Sequence, residues 1–184
     1  MVTVLRIGHR INRDKRITSH LVLVARAFGA KNIVITGDYD TSLIKTVRNI
    51  SIEWGGNFKI DIHPYENWKT LLLNWKEIGK ILFHLTMYGI NFTDFKNTLA
   101  FQEIQHDPKL LDNVIVIVGG KKVPGKVFYF ADYNIAITNQ PHSEVSALAI
   151  FLEHLIPKVF TLEFPGGKRE VEPSIEGKKG YVER

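Results

Sequence analysis

The stretch VTVLRIGHRINRDKRITSHLVLVARAFGA, residues 2–30, contains two periodicities in succession. Residues 2–7 read as a buried strand. In the second part Ile17, Leu21, Val24, Ala25 and Phe28 recur at helical spacing, and Gly29 is well placed to end a helix. One strand-to-helix unit is therefore expected here, and the same alternation continues along the chain. Strand-like runs are NIVIT from Asn32, FKIDI ending at Ile62, KILFHLT from Lys80, VIVIV from Val114 and YNIAIT from Tyr133. Helices are predicted over residues 41–54, closed by Gly55 and Gly56, and over 67–78, 93–105 and 143–155. In the last of these, Val145, Leu148, Ala149, Leu152 and Leu155 form an apolar stripe. Such alternation predicts an α/β fold, a mostly parallel sheet flanked by helices on both faces. After Pro157 the pattern changes. VFTLEF, a turn over Pro165 to Gly167, and KREVEP predict a small hairpin followed by a charged, loose tail. A main domain over 1–157 and a C-terminal extension over 158–184 are expected.

The composition narrows the function classes. With 184 residues, 45% hydrophobic and 23% charged, the chain is neither disordered nor of low complexity. Its longest stretch free of Asp, Glu, Lys and Arg, residues 81–93, contains His84 and Asn91 and is too short to cross a membrane. The N-terminus lacks the pattern of a signal peptide, so a cytoplasmic protein is expected. The absence of cysteine excludes disulfides and thiolate chemistry. No compact histidine ligand pair occurs, and no metal is expected.

The net charge of +5 is unevenly placed. Arg6, Arg10, Arg13, Lys15 and Arg16 face only Asp14 in the first sixteen residues, a local charge of +4. Lys121, Lys122 and Lys126 add +3 with no acid between 119 and 130, leaving −2 for the rest. If the fold joins the two clusters, they form an anion-binding surface.

Ligands in open α/β sheets bind at the carboxyl ends of the strands, which directs attention to three segments. HLTMYG spans 84–89, VGGKKVPG spans 118–125, and TNQPHSE spans 138–144 and leads into the last long helix. Each also has a plainer reading: a tight turn for the glycines, packing for Met87 and Tyr88, and helix capping for Asn139, His142 and Ser143. Gly120, Gly125 and Lys126 have the G-x-x-x-x-G-K spacing of a phosphate loop. Valine at 127 supplies no hydroxyl for magnesium, however, and Pro124 removes an amide donor. No G-x-G-x-x-G follows any strand.

The opening LRIGHRINRDKRITSHLVLVARAFGA, the central HLTMYG, and the pair VIVGGKKVPG and ITNQPHSEVSALAIFL resemble the archaeal tRNA cytidine-56 2'-O-methyltransferases of the SPOUT class. The resemblance covers roughly residues 1 to 155 and departs from the family pattern at Ile11 and Asn12. It implies S-adenosyl-L-methionine as cofactor, tRNA as partner, a homodimer, and a trefoil knot toward the C-terminal part of the domain. It also implies a cofactor site built from Leu85, from Gly119, Gly120, Lys121, Lys122 and Val123, and from Ile137, Thr138, Asn139, Gln140, Pro141, His142, Ser143 and Glu144. Asn139 corresponds to an asparagine near the transferred methyl group in related enzymes. Related enzymes also carry an arginine in the first motif. Arg16, ahead of Arg10, is the candidate here for orienting the ribose, and Arg10, Arg13, Lys15 and Arg16 are candidate RNA contacts. Arg26 is either a further pocket residue or an ordinary helix-surface cation. The alternatives are a noncatalytic RNA-binding module on the same basic surface, a 2'-O-methyltransferase acting at another RNA position, and an NTPase built on the 120–126 loop.

Overall fold

A computed structural model describes residues 2–120 and 123–184. Six parallel strands form one sheet in the order β3-β2-β1-β5-β4-β6. They are β1 (Thr3–His9), β2 (Asn32–Gly37), β3 (Lys59–His63), β4 (Ile81–Asn91), β5 (Val114–Gly119) and β6 (Tyr133–Ala136). The helices are α1 (Ile11–Ala27), α2 (Thr41–Trp54), α3 (Trp68–Glu77), α4 (Phe92–Phe95), α5 (Leu99–His106), α6 (Val127–Phe130) and α7 (Glu144–Leu155).

The central strands read as unbroken apolar runs because both sheet faces are covered. Val114, Val116 and Val118 of β5 pack in the core containing α1, α2, α5 and α7, while Ile115 and Ile117 pack with Leu72 of α3 and Val127 of α6. Leu148, Phe151, Leu152 and Leu155 fix α7 to the sheet; all four are fully buried, which stabilises by about 1.5–3 kcal/mol per side chain. The helix ends follow from local chemistry. Asp40 accepts from the Ser42 backbone N–H at 2.8 Å to start α2, and Gly55, at φ +77°, stops it.

Three expectations change. HLTMYG is not a loop: β4 runs on through it to Asn91, and both Leu85 and Ile90 sit opposite Ile135 of β6, with a register shift between them. The five intervening register steps on β4 meet none on β6, so the strand bulges here. The helix predicted over 93–105 is two short helices, because Asn91 accepts from Thr93 N–H and Thr98 from Phe101 N–H, each starting a new turn. In the C-terminal segment VFT, Val159–Thr161, forms a 3-10 turn. The hairpin instead joins β7 (Arg169–Val171) to β8 (Tyr181–Glu183), so the supposedly loose tail supplies a strand. Among the described residues no helix is long and apolar enough to cross a membrane.

Candidate functional site

The chain proceeds from β1 outward to β2 and β3, whereas β5, β4 and β6 lie on the other side of β1. The boundary between β1 and β5 is thus a topological switch point, the place where adjoining loops diverge and leave a crevice. Two cavities open at the carboxyl ends of the strands on either side of it, of about 740 and 600 Å³. Gly120, just beyond β5, lines both.

The first cavity is walled by Leu85, Ile135, Ile137, Ala147 and Val123, with Phe128 and Tyr88 along one side. Its polar groups are few, as in most small-molecule sites. Glu144, at the start of α7, receives a 2.9 Å ion pair from Nη2 of Arg6, a β1 side chain with no solvent exposure. Burial raises the Glu144 carboxyl above its ordinary range, with Arg6 opposing the shift, and burial likewise lowers the Arg6 guanidinium. Breaking such a pair from one side is costly, because a charge is left in low dielectric. Among the described residues Nε and Nη1 of Arg6 have no hydrogen-bond partner, and Nη1 would be the nearest atom, at 3.9 Å, to a Cβ placed on Gly120. The site therefore keeps unspent donor capacity beneath the wall that the two cavities share. His84 also lines the first cavity. The Asn134 amide donates to the Phe128 carbonyl, which turns its oxygen to Nδ1 of His84 at 2.9 Å. Nδ1 then carries the proton, and burial lowers the imidazole below its usual range, leaving it neutral at pH 7.

The loop after β6 divides its work. Ile137, Pro141, His142 and Glu144 line the first cavity; Thr138 and Gln140 are exposed and do not. Ser143 caps α7 by accepting from the Val145 N–H. Asn139 takes a role that was not anticipated: its side-chain amide donates to the Met87 and Gly89 carbonyls at 2.9 and 3.0 Å. It ties the third segment to the bulged part of β4. Gly119 lines the cavity beside Gly120, whereas Lys121 and Lys122 lie outside the described residues.

The second cavity collects part of the basic opening segment. Arg10 and Arg13 line it together with Gly8, His9, Asp38, Tyr65 and Glu66. Arg10 is held by Asp14, 2.9 Å from its Nε, and Asp38 accepts from the Ile11 N–H at the start of α1. His9 is buried, with Nδ1 2.9 Å from the Thr18 hydroxyl and Nε2 3.5 Å from Asp40. Burial, with Arg6 nearby, lowers its pKa. Lys15 and Arg16 are exposed on α1 and line neither cavity. Arg26 is at the other end of the helix, donating to the Trp54 and Gly55 carbonyls and lying over the Phe164 ring, so it lines neither of these two cavities. Sequence reading missed Arg6, Tyr65 and Glu66. A lone arginine inside the apolar run VLRIG was a usable signal for the first; the segment PYEN carried none for the others. No group of side chains suited to hold a metal occurs among the described residues.

A protein-family model described as tRNA ribose 2'-O-methyltransferase, aTrm56, matches residues 54–181. The tRNA (cytidine(56)-2'-O)-methyltransferase of Thermococcus kodakarensis is 44% identical over 97% of this chain and 96% of its own. The enzyme of the same name from Methanopyrus kandleri is 46% identical over 98% and 95%. Among solved structures, an RNA 2'-O ribose methyltransferase superposes with a TM-score of 0.57 at 14% identity, over 83% of this chain and 54% of that one. The SpoU methyltransferase AviRb from Streptomyces viridochromogenes, in complex with AdoMet, gives 0.52 at 14% identity, over 84% and 56%. The structural likeness shows the fold, a SpoU/TrmH-type sheet. The sequence identity, sustained over nearly the whole length, goes further: the chain belongs to the aTrm56 family of tRNA ribose 2'-O-methyltransferases.

Proposed function

We propose that the chain transfers a methyl group from S-adenosyl-L-methionine to the ribose 2'-hydroxyl of cytidine 56 in the T-loop of tRNA. The family supplies the reaction class, and one observation ties it to residues: a largely apolar cavity and a cavity lined by arginines share the Gly120 wall. In-line displacement requires donor and acceptor to approach one carbon from opposite sides, which adjoining compartments allow.

The first cavity fits the cofactor by its donor set. Leu85, Ile135, Ile137 and Ala147 bind apolar surface and exclude water, and backbone groups of Gly119, Gly120 and the 137–144 loop offer shape-specific hydrogen bonds. Glu144 places a carboxylate in the same cavity, its charge already matched by Arg6. S-adenosyl-L-methionine supplies an electrophilic methyl carbon on a sulfonium when bound. Arg10 and Arg13 contact the acceptor nucleotide, Arg10 through its phosphate, with Lys15 and Arg16 extending the contact along α1. Arginine, whose pKa exceeds about 12, is not the base. Held in this orientation, the 2'-hydroxyl would lose its proton to water or a phosphate oxygen on transfer of the methyl group. Asn139 is a positioning residue, holding the β4 bulge that walls the cofactor cavity.

We also assign the chain a trefoil knot and a homodimeric, cytoplasmic form. The double pairing of β4 with β6 supports the first, and the exposed Tyr88, Ile90 and Tyr129 support the dimer. The reaction is tested by incubating the protein with methyl-labelled cofactor and an unmodified tRNA transcript, then digesting to nucleosides. Label is expected in 2'-O-methylcytidine; label in a base, or none, refutes the proposal.

A further inference from the structure

The second cavity contains more than phosphate-binding chemistry. Tyr65 and Glu66 lie in the turn after β3, far in sequence from α1, yet line the same cavity as Arg13. The Tyr65 ring packs against the bend at Gly8, where φ is +83° and an added Cβ would be 3.6 Å from the ring edge. Glu66 and Arg13 are exposed, and among the described residues neither side chain makes a hydrogen bond or an ion pair. An aromatic face, an exposed carboxylate and an exposed guanidinium thus border about 600 Å³ that adjoins the cofactor cavity through Gly120.

Resting on the acceptor reading above, we propose that this cavity receives the flipped-out target cytosine itself, with Tyr65 as its stacking surface and Glu66 as the group that tells cytosine from uracil. Cytosine carries an exocyclic amine at position 4, which a carboxylate accepts from, and two acceptors, N3 and O2, which suit a guanidinium. Uracil replaces the amine by a carbonyl oxygen, which a carboxylate repels. Single-stranded RNA is commonly read in this way, by stacking an unpaired base on an aromatic ring and bonding its Watson–Crick edge. Phosphate binding alone would explain Arg10 and Arg13, but a carboxylate in the same cavity opposes it and needs a different partner. The amine of cytosine is such a partner.

The test uses two tRNA transcripts differing only by C or U at position 56, assayed with the full-length protein under single-turnover conditions. The wild type should prefer the C transcript. Glu66→Gln, whose amide can donate to the uracil oxygen, should lower the C-to-U ratio of kcat/KM by about tenfold or more. Cofactor affinity, measured by calorimetry, should stay unchanged because Glu66 does not line the first cavity. Tyr65→Leu should slow both transcripts and leave the ratio alone. A Glu66→Gln ratio within about twofold of wild type, well short of the discrimination expected of one base-edge contact, overturns the cytosine assignment. Equal wild-type activity on both transcripts overturns it too. No transfer to either transcript by the wild type refutes the acceptor reading itself, so the two failures are distinguishable.

Discussion

Replacing Gly120 by leucine should abolish most methyl transfer while leaving the fold intact. The expectation follows from what surrounds this glycine. Among the described residues, a Cβ at Gly120 would find only Nη1 of Arg6 within 4 Å, at 3.9 Å, an ordinary contact, and its φ lies outside the left-handed region that strains other residues. A larger side chain therefore displaces no packed neighbour among the described residues and projects from the wall between the two cavities. Displacing either reactant by about 1 Å can cost a factor on the order of a hundred in rate, and a leucine side chain intrudes further than that. Gly120→Leu should thus reduce kcat/KM by at least about a hundredfold, and its melting temperature should stay close to that of the wild type. Gly120→Ala, adding only the Cβ, should retain most of the activity. If the leucine variant methylates tRNA at the wild-type rate, the shared wall is not where donor and acceptor meet.

A second glycine controls the fold instead of the chemistry. At Gly89 an added Cβ would lie 2.4 Å from the carbonyl carbon and oxygen of Asn134 and 2.5 Å from the backbone nitrogen of Ile135. These are β6 backbone atoms, which no rotamer change can move. Here β4 rejoins β6 after its bulge, and here Asn139 donates to the Gly89 carbonyl. Gly89→Ala must therefore push two paired strands apart and weaken the tie to the third segment. We expect a loss of about 3 kcal/mol or more, roughly 6–12 °C in melting temperature for a chain of this length. Gly125→Ala is the matched control: among the described residues nothing lies within 4 Å of its added Cβ, so its melting temperature should not change. Equal melting temperatures for the two variants would show that the β4–β6 crossing is looser than described.

Much of this architecture was legible in the sequence because burial on both faces leaves a strong mark. The VIVIV run of β5 and the stripe of α7 could hardly serve another fold, and residues 41–54 became a helix with the predicted ends. What escaped was set by tertiary contact. HLTMYG looks like a glycine-containing turn until β6 lies beside it; then Gly89 is the residue that permits close approach, and extended backbone results. Tyr181–Glu183 is too short and too polar to read as a strand, and becomes one only by pairing with Arg169–Val171. The site shows the same division. Segments carrying glycine and Asn-Gln-Pro-His pointed to the first cavity, which Gly119, Gly120, Pro141 and His142 line. The contact of Arg6 with Glu144 spans most of the chain. Likewise, the meeting of Tyr65 and Glu66 with Arg13 depends on β3 and β1 ending at the same edge, which no local pattern records.

The central claim, ribose methylation at one nucleotide, is tested most directly by mapping. A 2'-O-methyl group removes the nucleophile that cleaves the adjoining phosphodiester, so alkaline hydrolysis of end-labelled tRNA skips the methylated position. After incubation with the protein and S-adenosyl-L-methionine, the ladder should show a single new gap, at cytidine 56. A complete ladder, or a gap at any other nucleotide, would contradict the account.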